Sequence, residues 1–226
     1  FGPVPAFGNI GGVAGVYRTP AIDVSVWGVF TNTTPLSPYR GAGRPEATMV
    51  IELAIDAAAR ELGIDRVDLR RRNLIRPDEM PFQTPLTYHY DSGDFAKSMD
   101  LVATLADLDG FESRVEQSRT RGCIRGLGIV NAIEQSAGLF DEGAQIALDS
   151  HGFATLTIGT HSHGQGHETV FRQLLADKLG LEFEQVRYVQ GDTDAVPYGH
   201  GTGGSRASGL GGAAVSLAAD AIIEKG

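Results

Sequence analysis

The chain has 226 residues, 19 Lys+Arg against 28 Asp+Glu, and a formal net charge of −9. That balance excludes a sequence-independent nucleic-acid binder, which needs a basic face to displace counterions. One cysteine, Cys123, excludes an internal disulfide, and no apolar run approaches the roughly 20 residues of a membrane helix.

Along the chain, residues 1–15 form a Pro/Gly stretch without periodicity. The opening on Phe1 and the stop just after an apolar helical pattern lead us to expect a piece of a longer polypeptide. Residues 16–30 alternate as a strand would, with Ile22, Val24, Val26 and Gly28 on one side and Trp27 on the other. After a loop, Pro45 and Glu46 open a helix whose stripe is Ala47, Ile51, Ile55, Ala58 and Leu62, ended by Gly63. A second helix over residues 66–73 ends in Arg70, Arg71 and Arg72, read as surface charge offsetting the helix dipole. Residues 77–90 read as irregular; Asp94 then caps a helix to about residue 105, and another covers 111–119. From Gly122 the pattern turns to strands: 124–132, then a hairpin of 144–149 and 154–160. A helix over 167–179, ended by Gly180, precedes a strand over 185–190, a long loop and a small-residue helix over 205–224. The change of character near residue 120 marks the expected domain boundary.

Thirty glycines are nearly twice the usual share of about 7%, and their placement matters more than their number. They mark three connections that each lead into a helix: Tyr39-Arg40-Gly41-Ala42-Gly43-Arg44-Pro45-Glu46, then His161-Ser162-His163-Gly164-Gln165-Gly166-His167-Glu168, then residues 199–212. Any one of them is an ordinary tight turn. Three together suggest a cofactor held through main chain, because glycine admits close approach and free N–H groups at a helix start attract anions.

Narrower readings are weaker. Gly199-x-Gly201-x-x-Gly204 matches a dinucleotide fingerprint, but the strand before it ends too early. No P-loop and no Gly-x-Ser-x-Gly elbow is present. His161, His163 and His167 invite a zinc hydrolase, but Gly164 and Gly166 put their spacing on a loop, so hydrogen-bonding histidines are the first reading. Cys123, in an apolar strand pattern, reads as an inert core thiol.

In this order and spacing the loops resemble the molybdenum-binding large subunit of the xanthine dehydrogenase/aldehyde oxidase family, in its carbon monoxide dehydrogenase-type form, over nearly the whole chain. Phe30-Thr31-Asn32-Thr33 with the Tyr39–Ala47 stretch looks like that family's active-site loop and helix. Glu61-Leu62-Gly63 through Asn73 looks like its continuation. Gly164-Gln165-Gly166-His167-Glu168-Thr169 is similar to its pterin-contacting loop, and Gly191-Asp192-Thr193-Asp194 through Ser205-Arg206 to the loop around the cofactor phosphate and dithiolene.

The resemblance implies an α+β fold made of partial molybdopterin-binding domains. Residues 1–120 would be the C-terminal part of the first, and residues 121–226 the N-terminal part of the second. It implies a molybdopterin, as the cytosine dinucleotide, whose dithiolene holds molybdenum so that no protein metal ligand is needed. The activity implied is hydroxylation of an aldehyde or aromatic heterocycle with water as oxygen source. Electrons would leave through [2Fe-2S] clusters to FAD on iron–sulfur and flavin partner subunits, in the cytoplasm. Arg40 would lie at the molybdenum end, steadying developing charge; His163, Gly164, Gln165 and Gly166 would contact the cofactor. Thr202, Gly203, Gly204 and Ser205 would offer N–H and hydroxyl groups to its oxygens, and Gly41, Ala42 and Gly43 would shape the substrate pocket.

Two departures qualify this. Gly41 stands where the carbon monoxide enzymes carry a copper-binding cysteine, so no copper is expected. The family's C-terminal general-base glutamate and an upstream metal-contacting glutamine are absent, so the fragment alone is expected to be inactive. A cofactor-free binding or scaffolding module of the same fold is the alternative.

Overall fold

The computed structural model describes residues 2, 4–136 and 141–226. The chain divides into two compact units, Phe1–Glu134 and Gln135–Gly226.

In the first unit a short helix α1 (Val4–Phe7) and a 3-10 turn (Ile10–Ala14) precede the long helix α2 (Arg44–Leu62). α2 begins on Gly43 with Pro45 in its first turn and ends on left-handed Gly63, as its sequence signals require. Helix α3 (Arg66–Asn73) starts where the Asp65 carboxylate accepts the amides of Val67 and Asp68 at 2.8 and 3.1 Å. A two-residue antiparallel pair, β1 (Phe82–Gln83) with β2 (His89–Tyr90), lies inside the stretch expected to be irregular. Helix α4 (Phe95–Leu105) is capped by Asp94, which accepts from the Lys97 amide at 3.0 Å, and α5 (Phe111–Arg119) follows. Val16, Tyr17, Val67, Leu74 and Met99 form the buried centre, with Ile51, Ile55, Ile129 and Ile133 packed around it.

Two expected strands are not formed among the described residues. Residues 16–30 contribute one isolated bridge, Tyr17 to Leu74, and Trp27 and Phe30 are exposed. Residues 124–132 are also outside any ladder. Alternation reports an extended, pleated chain; a strand additionally needs a neighbour to accept its backbone hydrogen bonds. Cys123, expected in a core, is exposed for the same reason.

The second unit is a three-stranded sheet ordered β3-β4-β5 under two helices. β3 (Ala144–Leu148) and β4 (Ala154–Ile158) form the expected hairpin, Ala144 opposite Ile158 and Leu148 opposite Ala154. Its turn is set by the Asp149 carboxylate, which accepts from the His151 and Phe153 amides at 2.9 and 3.0 Å. β4 then runs parallel to β5 (Val186–Val189), with helix α6 (His167–Leu179) as the crossover. A five-residue π turn (Ala207–Gly211) leads into helix α7 (Gly212–Ile223). Ala154, Leu156 and Ile158 on one face of β4 meet Phe171 and Leu175 of α6 and Val215 and Ala219 of α7, a dry core beneath the loops.

Candidate functional site

In the second unit the chemistry-bearing loops sit beyond the carboxyl ends of the parallel strands. That is where open α/β sheets bind ligands, because successive loops meet there. β4 is followed by Gly159, fully buried Thr160 and the His161–Gly166 loop; β5 is followed by Gln190 and the long glycine loop. The two are sewn together. Thr202 Oγ1 donates to the His161 carbonyl at 2.5 Å, accepts from the His161 amide at 3.1 Å and lies 2.8 Å from Thr160 Oγ1. Gln190 Oε1 accepts from the Ser162 amide at 2.8 Å.

Lower down the backbones cross so closely that a Cβ at Gly159 would sit 2.3 Å from Gly199 Cα. Only glycine fits at that crossing.

These bonds define what is left for a ligand. The Thr202 hydroxyl, with one donor and two acceptor sites, is saturated by protein partners, so its amide is what it can offer outward. Gln165 is folded onto its own loop, accepting from the His163 amide and donating to the His161 carbonyl at 3.5 Å. Helix α6 starts on Gly166, left-handed at φ 80°, with no side-chain cap, so its first-turn amides keep their donor capacity. A Cβ at Gly164, Gly166 or Gly203 would meet nothing within 4 Å, so there is open room over these segments.

The histidines behave as a group. His161 and His163 touch through their Nε2 atoms at 2.7 Å, which requires one ring to donate and the other to accept. His167 is buried, with Nδ1 lacking a hydrogen-bond partner among the described residues. Burial, and then the charges of His161 and His163, hold its imidazole below the ordinary histidine range. Among the described residues no group of three or more His, Cys, Asp or Glu is placed to hold a metal ion, so the three-histidine zinc arrangement is not formed. Uncapped amides, an orphaned buried imidazole nitrogen and open glycine backbone fit a polar, anionic organic cofactor better than a bare cation.

In the first unit Arg40 is exposed ahead of α2. Gly41, Ala42 and Gly43 all take positive φ (91°, 46° and 100°), and a Cβ at Gly43 would lie 1.9 Å from the Pro5 carbonyl. The Asn9 amide nitrogen holds the Ala42 carbonyl. Beneath this turn lies an ionic network that sequence reasoning missed. Arg70, read as surface charge, is fully buried: it donates to Glu52 and Asp56 at 2.8 Å each and to the Arg66 carbonyl at 3.0 Å. Glu52 Oε1 accepts from Tyr17 at 2.6 Å and from the Asn131 amide at 3.1 Å. Burial, and then the Glu52 hydrogen bond, push the Tyr17 phenol well above its usual value. The readable signal was spacing: two acids at i and i+4 on α2 match two arginines, Arg66 and Arg70, at i and i+4 on α3.

Comparison with known sequences and structures agrees with this geometry. Two family models, each described as "Molybdopterin cofactor-binding domain", match the chain, one over residues 2–74 and the other over residues 101–226. The nicotine 6-hydroxylase large subunit of Paenarthrobacter nicotinovorans is 34% identical over 93% of the chain and 27% of its own length. The carbon monoxide dehydrogenase large chain of Hydrogenophaga pseudoflava is 34% identical over 94% and 28%. The crystal structure of quinoline 2-oxidoreductase from Pseudomonas putida 86 superposes with a TM-score of 0.88 at 29% identity, over 99% of this chain and 30% of that one. The chain thus spans somewhat over a quarter of the length of these relatives. With both family matches in place and the loops where they are, the chain belongs to the molybdopterin cofactor-binding family of molybdenum hydroxylase large subunits, of the xanthine dehydrogenase and carbon monoxide dehydrogenase type.

Proposed function

We propose that the chain is part of the catalytic large subunit of a molybdenum hydroxylase and holds the cofactor across the two glycine loops of its second unit. The supporting observation is the Thr202 stitch, which ties residues 199–205 to His161, at the start of the loop that leads into the uncapped α6. When bound, the molybdenum–pterin group supplies hydroxylation at carbon with water as oxygen source, releasing two electrons and two protons. The chain's own residues bind and orient. The α6 amides face cofactor oxygens, joined by the amides of Thr202, Gly203, Gly204 and Ser205. His163, Gly164, Gln165 and Gly166 line the cofactor as a loop whose own bonds, His163 amide to Gln165 and Gly164 amide to Ser162 at 3.3 Å, fix its shape. Arg40 steadies developing negative charge, and the compact Gly41-Ala42-Gly43 turn leaves room for substrate.

The substrate we favour is an aldehyde or aromatic N-heterocycle; relatives named for nicotine and quinoline support the second. Gly41 offers no thiolate, so copper and carbon monoxide chemistry are not part of the proposal. The cofactor is taken as the cytosine dinucleotide form, with iron–sulfur and flavin subunits carrying electrons away in a cytoplasmic complex. We place the end of one molybdopterin-binding domain and the start of the next in this chain, at about residue 120. The second family match beginning at 101 and the compact unit beginning at Gln135 bracket that point.

The test is purification of the parent complex, metal and pterin analysis, and a substrate screen with an artificial electron acceptor. About one molybdenum and one pterin per large subunit, with turnover of a heterocycle or aldehyde, is the expected result. A complex without molybdenum would favour a cofactor-free scaffold of the same fold.

A further inference from the structure

Between the glycine loop and α7 stands Arg206, a buried arginine whose guanidinium touches three acceptors. Nη2 donates to Glu142 at 3.1 Å and to the Gly201 carbonyl at 2.8 Å, and Nη1 donates to the Asp141 carbonyl at 3.0 Å. The pair is almost wholly removed from solvent, with side-chain exposures of 3% for Arg206 and 1% for Glu142. Glu142 is itself fixed: Oε1 accepts from the Gly143 amide at 3.1 Å and sits where a Cβ on Gly159 would fall, 2.5 Å away. At the other end, the Arg206 carbonyl accepts from Leu210 at 2.8 Å, so the same residue sets the entry to α7.

A buried arginine beside a glycine loop invites the idea that its charge grips an anionic ligand. Here that charge is already matched by a buried carboxylate, and two further donors go to main-chain carbonyls. We propose that Arg206 and Glu142 are positioning residues that hold residues 199–205 in the shape that receives the cofactor, acting through the Gly201 carbonyl and not by direct contact. A segment this rich in glycine has many alternative conformations to lose on ordering, and the fork of Arg206 ties it to the residues entering β3. This inference rests on the cofactor reading above.

The test uses the full-length parent subunit co-expressed with its partners, following hydrogen exchange of residues 199–206 together with molybdenum and pterin content. Glu142→Gln, which keeps the shape and removes the charge, should speed exchange of the loop at least tenfold and lower cofactor content at least threefold. Arg206→Lys, which keeps the charge and loses the fork, should do the same. Lys178→Ala breaks the 2.7 Å pair with Asp220 between α6 and α7, away from the loops, and controls for simple destabilisation. It should lower the melting temperature and leave loop exchange and cofactor content at wild-type values.

Cofactor content at or above wild type in Glu142→Gln, or full content in Arg206→Lys, would overturn the proposal in favour of direct charge contact. So would loss of cofactor in either variant without faster loop exchange. A wild-type complex holding neither molybdenum nor pterin would instead sink the cofactor reading, and loop exchange would still decide whether the pair orders the loop.

Discussion

Arg70 and His167 are the side chains whose environment departs furthest from what their type suggests, and both lend themselves to measurement. Replacing Arg70 with alanine leaves Glu52 buried without its cation, and removing one partner of such a pair costs about 3–5 kcal/mol. Urea unfolding followed by α2–α3 signals should show a loss of that size. Arg76→Ala, which breaks an exposed pair with Asp78, should change stability by less than about 1 kcal/mol. His167 gives a pH signature. Its folded pKa is depressed, so the unfolded chain takes up a proton that the folded one refuses. The neutral ring's contribution is complete above the ordinary histidine value of about 6.5, and is lost as pH falls through the folded value. The electrostatic effect of His161 and His163 on His167 acts in the same direction. The melting temperature should therefore fall between about pH 7 and pH 5, and His167→Phe should flatten that slope; an unchanged slope would refute the assignment.

Helices α2, α4 and α6 were legible because they carry start or stop signals of their own, whereas α1 falls in a stretch read as aperiodic. Asp94 was readable as a cap, and Gly63 and Gly180 as left-handed ends, and the structure uses all three; it adds Asp65 as the cap of α3. Asp65→Ala should accordingly cost about 1 kcal/mol, read from the unfolding of the first unit. The β3–β4 hairpin was legible for a similar reason: its turn chemistry is local to residues 149–153. Residues 16–30 and 124–132 were not, because pairing depends on a partner that no local pattern names. The same limit hid Arg206, whose role depends on Glu142, 64 residues earlier in the chain. It hid the Gly159–Gly199 crossing too, where each glycine alone looks like a loop residue. Gly159→Ala should force the two backbones apart and release the Thr202 stitch. That would appear as faster amide exchange at His161 with the β3–β4 ladder still protected.

At the scale of the molecule, the chain provides two compact units but somewhat more than a quarter of its relatives' length. The general-base glutamate segment that the family resemblance implies is not found in these 226 residues. The isolated chain should therefore show no hydroxylase turnover with an artificial acceptor even after cofactor is supplied. Measurable turnover would mean that a proton acceptor inside these residues had gone unrecognised. The Arg70 network, finally, constrains how the first unit can change over evolutionary time. It joins Tyr17, α2, α3 and Asn131, segments far apart in sequence, through charges and hydrogen bonds that are satisfied only as a set. Each single replacement crosses a fitness valley, whereas replacing the whole set with apolar side chains of similar volume can be neutral. The network should thus be inherited as a block, with strong epistasis among its members.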